Sequence, residues 1–101
     1  MDVTEFVTKA MNDRGFMFEV FTHIPESATR SDMMPNPDTR GQIGLAFGRL
    51  CFPGAQAMGY DFAEDELMAE SDRQLGTLTG FDKVKFGARM LKTLRKARSK
   101  E

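Results

Sequence analysis

Histidine and cysteine, two residue types that often carry chemistry, each occur once in this sequence. No cluster of cysteines or histidines surrounds His23, so a zinc site is excluded by its ligand count. A general base at His23 would need a neighbouring nucleophile or carboxylate that the sequence does not indicate, so a helix-end histidine is predicted. Cys51 falls on an apolar helix face, which predicts a buried and inert thiol.

The acidic stretch "AMGYDFAEDELMAE", residues 57–70, is the densest group of potential metal ligands. Its acids lack the alternation around a central glycine that a calcium loop requires. Asp61 and Glu64 instead have the spacing of a capping box, and acids in a first helical turn complement the helix dipole. The stretch therefore predicts a joint between two helices, and the sequence predicts no catalytic residue, metal or cofactor.

The spacing of apolar residues predicts an all-α protein, a small single domain of four or five short helices. The first helix covers residues 2–13, where Asp2 and Glu5 fit a capping box. Apolar residues then recur at intervals of three and four, which gives this helix one apolar face.

A second helix is predicted between a cap at Asn12 or Asp13 and a stop before Pro25. Residues 16–21 also have the composition of a strand. Helix is the preferred interpretation because no partner strand is visible elsewhere in the sequence.

Residues 25–41, "PESATRSDMMPNPDTRG", form a long irregular loop in which three prolines break any periodicity. Loops of this length in small domains are usually functional or mobile. Met33 and Met34 are its one apolar patch, and they could pack on the core or contact a partner.

Helical periodicity resumes over residues 42–51, where Gly44 and Gly48 leave one strip of the helix without side chains. This spacing predicts close packing against another helix of the domain. Pro53 is expected to open a further helical turn, and Gly59 to end it with a left-handed residue.

An acidic helix should follow and end at Gly76, and a basic amphipathic helix should span residues 78–98. The domain prediction is a helical unit over 1–76, including loop 25–41, and a C-terminal helix over 77–101 that packs on this unit or on a partner. The predicted apolar stripe of the last helix comprises Phe81, Val84, Ala88, Leu91 and Leu94, widened by Met90, and Phe81 and Phe86 are expected to be core or interface groups.

The net charge of −1 conceals a strong asymmetry along the chain. Residues 56–77 contain six acids and one base, whereas residues 78–101 contain eight bases and two acids. Such a basic end can bind phosphates or another anionic surface, or it can pair with the acidic segment of its own chain. The predicted basic surface consists of Lys85, Arg89, Lys92, Arg95, Lys96 and Arg98.

One short motif around the acidic stretch matches a known pattern, in which Ala-x-x-x-Gly-Tyr is followed by Asp-Phe and then by acids and leucine. The matching positions are Ala55, Gly59, Tyr60, Asp61, Phe62, Glu64, Glu66 and Leu67. This motif resembles the signature of the nif-cluster leader-peptide family, the helical leaders named for nitrogen-fixation gene clusters. The resemblance implies a helical precursor leader that a modifying enzyme grips, or a small standalone protein.

The sequence departs from that family at Ala63 and in its C-terminal part, and the C-terminal departure favours the standalone type. Ala63 replaces the usual threonine, so Asp61 would have to cap the helix. Residues 77–101 form a predicted basic helix where a precursor would have a Gly-Gly cleavage site and a core peptide.

Composition favours a non-enzymatic accessory or adaptor protein that docks on a larger protein partner or forms a homodimer. The chain contains eight methionines and nine phenylalanines but no tryptophan, and methionine-rich surfaces adapt to partners. The alternative is a nucleic-acid-associated protein that binds phosphates through the basic end. The sequence predicts neither a membrane span nor a secretory signal, and we expect a cytoplasmic location. The predicted partner contacts are Phe16, Phe18, Phe21, Met33, Met34, Tyr60 and Phe62.

Overall fold

The structure, a computed structural model, describes residues 1–25 and 43–98. Within these two ranges the chain forms helices and no strand, so the all-α prediction is confirmed and the strand alternative for residues 16–21 is wrong. The predictions for Met33 and Met34 lie outside the described residues. The helices are α1 (Val3–Asn12), α2 (Arg14–Thr22), α3 (Ile43–Ala57), α4 (Glu64–Leu75) and α5 (Gly80–Arg98).

Side-chain caps start the first two helices where the sequence predicts them. The Asp2 carboxylate accepts a hydrogen bond from the Glu5 amide at 2.8 Å, and the Glu5 carboxylate accepts one from the Asp2 amide at 3.3 Å. Asp13 caps α2 by accepting from the Phe16 amide at 3.1 Å. Each bond satisfies a backbone donor that has no partner inside its own helix.

Helix α4 starts later than predicted, and the capping box at Asp61 and Glu64 is wrong. Its N-cap is Ala63, whose methyl group cannot accept a hydrogen bond. Half of a capping box remains, since the Ala63 amide donates to the Glu66 carboxylate at 3.4 Å. The predicted acidic first turn is confirmed, because Glu64 and Glu66 both belong to it.

Helix α3 runs through Pro53, which was expected to open a new helical turn. A proline inside a helix leaves the carbonyl four residues earlier without its donor. This carbonyl belongs to Arg49, which is an exposed residue. The helix nevertheless continues to Ala57 without a new start at Pro53.

The predicted left-handed stop of α3 at Gly59 is confirmed. Gly59 has a φ of +95°. Its amide donates to the carbonyl of Gln56, and the next amide, of Tyr60, donates to the carbonyl of Ala55, both at 3.0 Å. These two bonds form a Schellman motif, which satisfies the last carbonyls of the helix and turns the chain towards α4.

The predicted close packing at Gly44 and Gly48 is also confirmed, because both glycines lie against the backbone of α4. A Cβ atom placed on Gly48 would be 2.6 Å from the Cα of Met68. A Cβ on Gly44 would overlap the backbone of Asp72. Only glycine allows α3 and α4 to approach this closely.

Polar side chains join α4 to α1. The Gln74 side chain donates to the Thr4 carbonyl at 3.2 Å and to the Glu70 carboxylate at 2.7 Å, and it accepts from the Thr8 hydroxyl at 3.0 Å. Glu70 also forms an ion pair with Arg73. The hydrogen bond from Arg73 holds the pKa of the Glu70 carboxyl below its ordinary value.

An aromatic cluster around Phe6 lies at the centre of the core. Its ring meets those of Phe16 and Phe62 edge-on at centroid distances of 5.4 Å, and that of Tyr60 at 5.2 Å. Edge-to-face contacts of this kind stabilise beyond the area that they bury. Because Tyr60 and Phe62 are held on Phe6, the chain between Gly59 and α4 is fixed by the core.

Helix α5 packs mainly on α2, and it buries only part of the predicted apolar stripe, namely Met90 and Leu94. Phe81 and Val84 are 73% and 70% exposed, so they lie outside the core. The helix therefore has an exposed apolar stripe of Phe81, Val84 and Ala88, and a second stripe that faces the other helices. The buried residues of α5 are Phe86, Met90, Leu94 and Ala97.

Candidate functional site

Most of the predicted aromatic contacts belong to the core. Phe16 and Phe21 are only 7% and 2% exposed, so the structure contradicts their prediction as surface contacts. Tyr60 and Phe62 are half-buried, and their rings stack on each other with centroids 5.4 Å apart while both contact Phe6. These four rings stabilise the fold.

The exposed apolar surface lies instead at the start of α5. Phe81 and Val84 are one helical turn apart and face solvent, with exposed Ala88 one turn further along the same side. The Lys85 ammonium lies 5.5 Å from the Phe81 ring centroid, which is cation–π distance. We call Phe81, Val84, Lys85 and Ala88 the apolar patch.

A groove with a volume of about 560 Å³ runs between α2 and α5. Of the described residues that line it, half are cationic and none is acidic. Three of these cations, Arg89, Lys92 and Lys96, belong to the predicted basic surface, and Phe18 belongs to the predicted contacts. We call it the basic groove, and its lining residues are Arg14, Gly15, Phe18, Ala88, Arg89, Lys92, Thr93 and Lys96.

Arg89 has a structural role that the sequence did not indicate. Its guanidinium donates to the backbone carbonyl of Met11 at 2.6 Å, near the end of α1, where carbonyls lack helical partners. The same group lies 5.2 Å from the Phe86 ring centroid. Its Nε–H is buried and has no acceptor among the described atoms. Arg89 therefore ties α5 to α1 and is not a freely solvated surface charge.

The other predicted basic residues of α5 differ in exposure. Lys85, Lys92, Arg95 and Lys96 are exposed, and Arg98 is half-buried. Arg95 and Arg98 do not line the groove. Helix α5 therefore presents positive charge both inside the basic groove and outside it.

The acidic helix α4 does not neutralise α5 through ion pairs in the described part of the chain. The one ion pair between described residues, Arg73 with Glu70, lies within α4 itself. Helix α4 packs on α3 and α1, whereas α5 packs mainly on α2. The sequence left open whether the two charged segments pair within one molecule. Among the described residues, α4 and α5 form no ion pair with each other.

His23 and Cys51 lie in structural positions. His23 is the C-cap of α2, and its Nδ1 lies 2.8 Å from the Glu19 carbonyl oxygen, so the helix-end prediction is confirmed. Cys51 is buried as predicted, and burial raises the pKa of its thiol because the thiolate would be poorly solvated. Over residues 1–25 and 43–98, no three histidine, cysteine or acidic side chains are arranged to hold a metal ion.

The chain matches no protein-family model, no curated protein and no solved structure. The resemblance of residues 55–67 to the nif-cluster leader peptides therefore stays a prediction. None of the described helices is long and apolar enough to cross a bilayer.

Proposed function

We propose that this protein is a small non-enzymatic accessory protein of the cytoplasm, which docks on a larger protein partner through the apolar patch of α5. The observation that carries the proposal is the exposure of Phe81 and Val84, at 73% and 70%. Among the described residues, the other large apolar side chain exposed to a comparable degree is Met1.

The energetics of the patch support an interface. Burying a phenylalanine or valine side chain contributes about 1.5–3 kcal/mol. Burial of Phe81 and Val84 would therefore supply binding free energy at the centre of a small interface, where aromatic anchors contribute most. Lys85 belongs to the patch and Arg95 follows it on α5, and positive charge there would steer an acidic partner towards the patch.

A second candidate function, nucleic-acid binding, is favoured by one observation. Lys92 and Arg95 are exposed on a helix that packs away from the acidic α4, so their charges are available to phosphates. Binding that depends on phosphate contacts falls steeply and log-linearly with salt concentration. Binding that depends on Phe81 and Val84 should persist as salt is raised.

The test is a native pull-down from the source cells after nuclease treatment, with the double variant Phe81→Ser/Val84→Ser as the decisive comparison. The matched control is Ala57→Ser/Ala69→Ser, which makes two exposed helical positions polar outside α5. Thermal unfolding by circular dichroism checks that both variants fold.

We expect one stoichiometric protein to be retained by the native chain and by the control in moderate salt, and to be lost with the patch variant. If the patch variant captures the same partner as the native chain, docking through α5 is refuted. Recovery that vanishes with nuclease would favour nucleic-acid binding. A shift in sedimentation that the patch variant abolishes, without a captured protein, would identify a homodimer.

A further inference from the structure

We propose that the basic groove binds a small organic phosphate, a phosphate monoester that carries an aromatic or aliphatic group. This site is separate from the apolar patch, apart from Ala88, which borders both. Three features of the groove support it, namely its charges, its position at the start of α2 and its apolar wall.

The first feature is a concentration of positive charge from two helices. Arg14 of α2 and three cations of α5 line one cavity, and none of the described lining residues is acidic. Like charges brought together repel one another, so a bound dianion would stabilise the arrangement. Arginine and lysine are the side chains that bind phosphate, arginine through two parallel hydrogen bonds.

The second feature is the beginning of α2. Arg14 and Gly15 are its first two residues, and the amides of a first helical turn have no acceptor inside the helix. The Asp13 carboxylate lies beside Gly15 and accepts from the Phe16 amide, and among the described residues no hydrogen bond from the Arg14 or Gly15 amide is present. Helix N-termini bind phosphates through such amides and through the positive end of the dipole.

The third feature is an apolar wall. Phe18 is half-buried and lines the groove together with Ala88, which gives an organic substituent a surface to contact. The groove volume of about 560 Å³ lies within the usual range for small-molecule sites.

The experiment is a titration of the whole 101-residue chain with phenyl phosphate, in which binding is measured by calorimetry and by amide chemical shifts. Inorganic phosphate and phenol are titrated separately as the two halves of the probe. We expect phenyl phosphate to bind more tightly than either half, with the largest amide shifts at Gly15 and on the groove side of α5.

Variants separate a built site from general attraction. Arg14→Gln should weaken phenyl phosphate about tenfold, the effect of losing one charge-assisted interaction. Arg95→Gln is the matched control, because it removes an equal charge from α5 outside the groove. Phe18→Leu should weaken phenyl phosphate but leave inorganic phosphate unchanged.

Three outcomes would overturn the proposal. Equal weakening by Arg14→Gln and Arg95→Gln would mean diffuse electrostatic attraction. Phenol binding as tightly as phenyl phosphate would mean that the groove is only an apolar hollow. Tight binding of a short single-stranded oligonucleotide without measurable phenyl phosphate binding would favour a nucleic-acid surface. None of these results bears on docking, which depends on Phe81 and Val84 outside the groove.

Discussion

Replacing Gly48 by alanine tests the backbone contact that joins α3 to α4. The added Cβ would lie 2.6 Å from the Cα of Met68 and 3.0 Å from the carbonyl oxygen of Leu67. Carbon atoms in contact prefer separations of about 3.5–4.0 Å. Both obstructing atoms are backbone, so no side chain can rotate away and the two helices must separate by about 1 Å.

The expected cost follows from two opposing terms. Overpacking of a well-packed site costs about 1–3 kcal/mol. Alanine recovers about 1 kcal/mol over glycine through its higher helix propensity. Because backbone atoms of α4 block the methyl group, we expect Gly48→Ala to lower the free energy of unfolding by about 1–2 kcal/mol, or Tm by roughly 5–15 °C.

Urea denaturation followed by circular dichroism measures this loss, and Gly80→Ala is its control. Gly80 is also helical, yet a Cβ there would meet nothing within 4 Å. The control should be neutral or more stable by up to about 1 kcal/mol. If both variants unfold at the native urea midpoint with unchanged m-values, the proposed backbone contact between α3 and α4 is refuted.

Three further predictions concern single side chains. Ser71→Ala should leave the free energy of unfolding unchanged or raise it by up to about 1 kcal/mol, because the buried Ser71 hydroxyl has no partner among the described atoms; a lower urea midpoint would show that the hydroxyl is bonded. Cys51 should react with iodoacetamide far more slowly in the native protein than in urea, because burial raises its pKa; equal rates would contradict its burial. The lowered pKa of Glu70 stabilises the fold when Glu70 is ionised, so Glu70→Gln should cost most at neutral pH and progressively less as the pH falls below the ordinary carboxyl value of about 4.3; a cost that is independent of pH between 7 and acid, in urea titrations at each pH, would rule out this linkage.

Features set by neighbouring residues could be predicted from the sequence. The caps at Asp2 and Asp13 depend on residues within three positions, and the stop at Gly59 depends on the backbone freedom of one glycine. The close approach at Gly44 and Gly48 was visible in their spacing, although the identity of the facing helix was not.

Features set by distant residues could not be predicted. The start of α4 depends on Tyr60 and Phe62 resting on Phe6, which lies more than fifty positions away in the sequence. The two apolar stripes of α5 have equally good periodicity, and only the positions of α2 and α3 decide which one is buried.

Only the part of the candidate site on α5 could be predicted from the sequence, for the same reason. The bases of α5 were evident from the sequence, but the basic groove also needs Arg14 and Phe18 from a helix some seventy residues earlier. Phe16 and Phe21 were assigned to the surface because hydrophobicity identifies apolar side chains without distinguishing a core from an interface. The spacing of Phe86, Met90 and Leu94, four residues apart, was the one signal that could have revealed the exposed stripe.

The acidic α4 and the basic α5 pack on different neighbouring helices, which makes the molecule electrically polar. It measures 33 × 28 × 24 Å, whereas charges in physiological salt are screened over about 8 Å. A charged partner near one helix therefore responds mainly to the charge of that helix, and the net charge of −1 describes neither helix. At low ionic strength and neutral pH, anion- and cation-exchange resins should both retain this protein, each through a different helix.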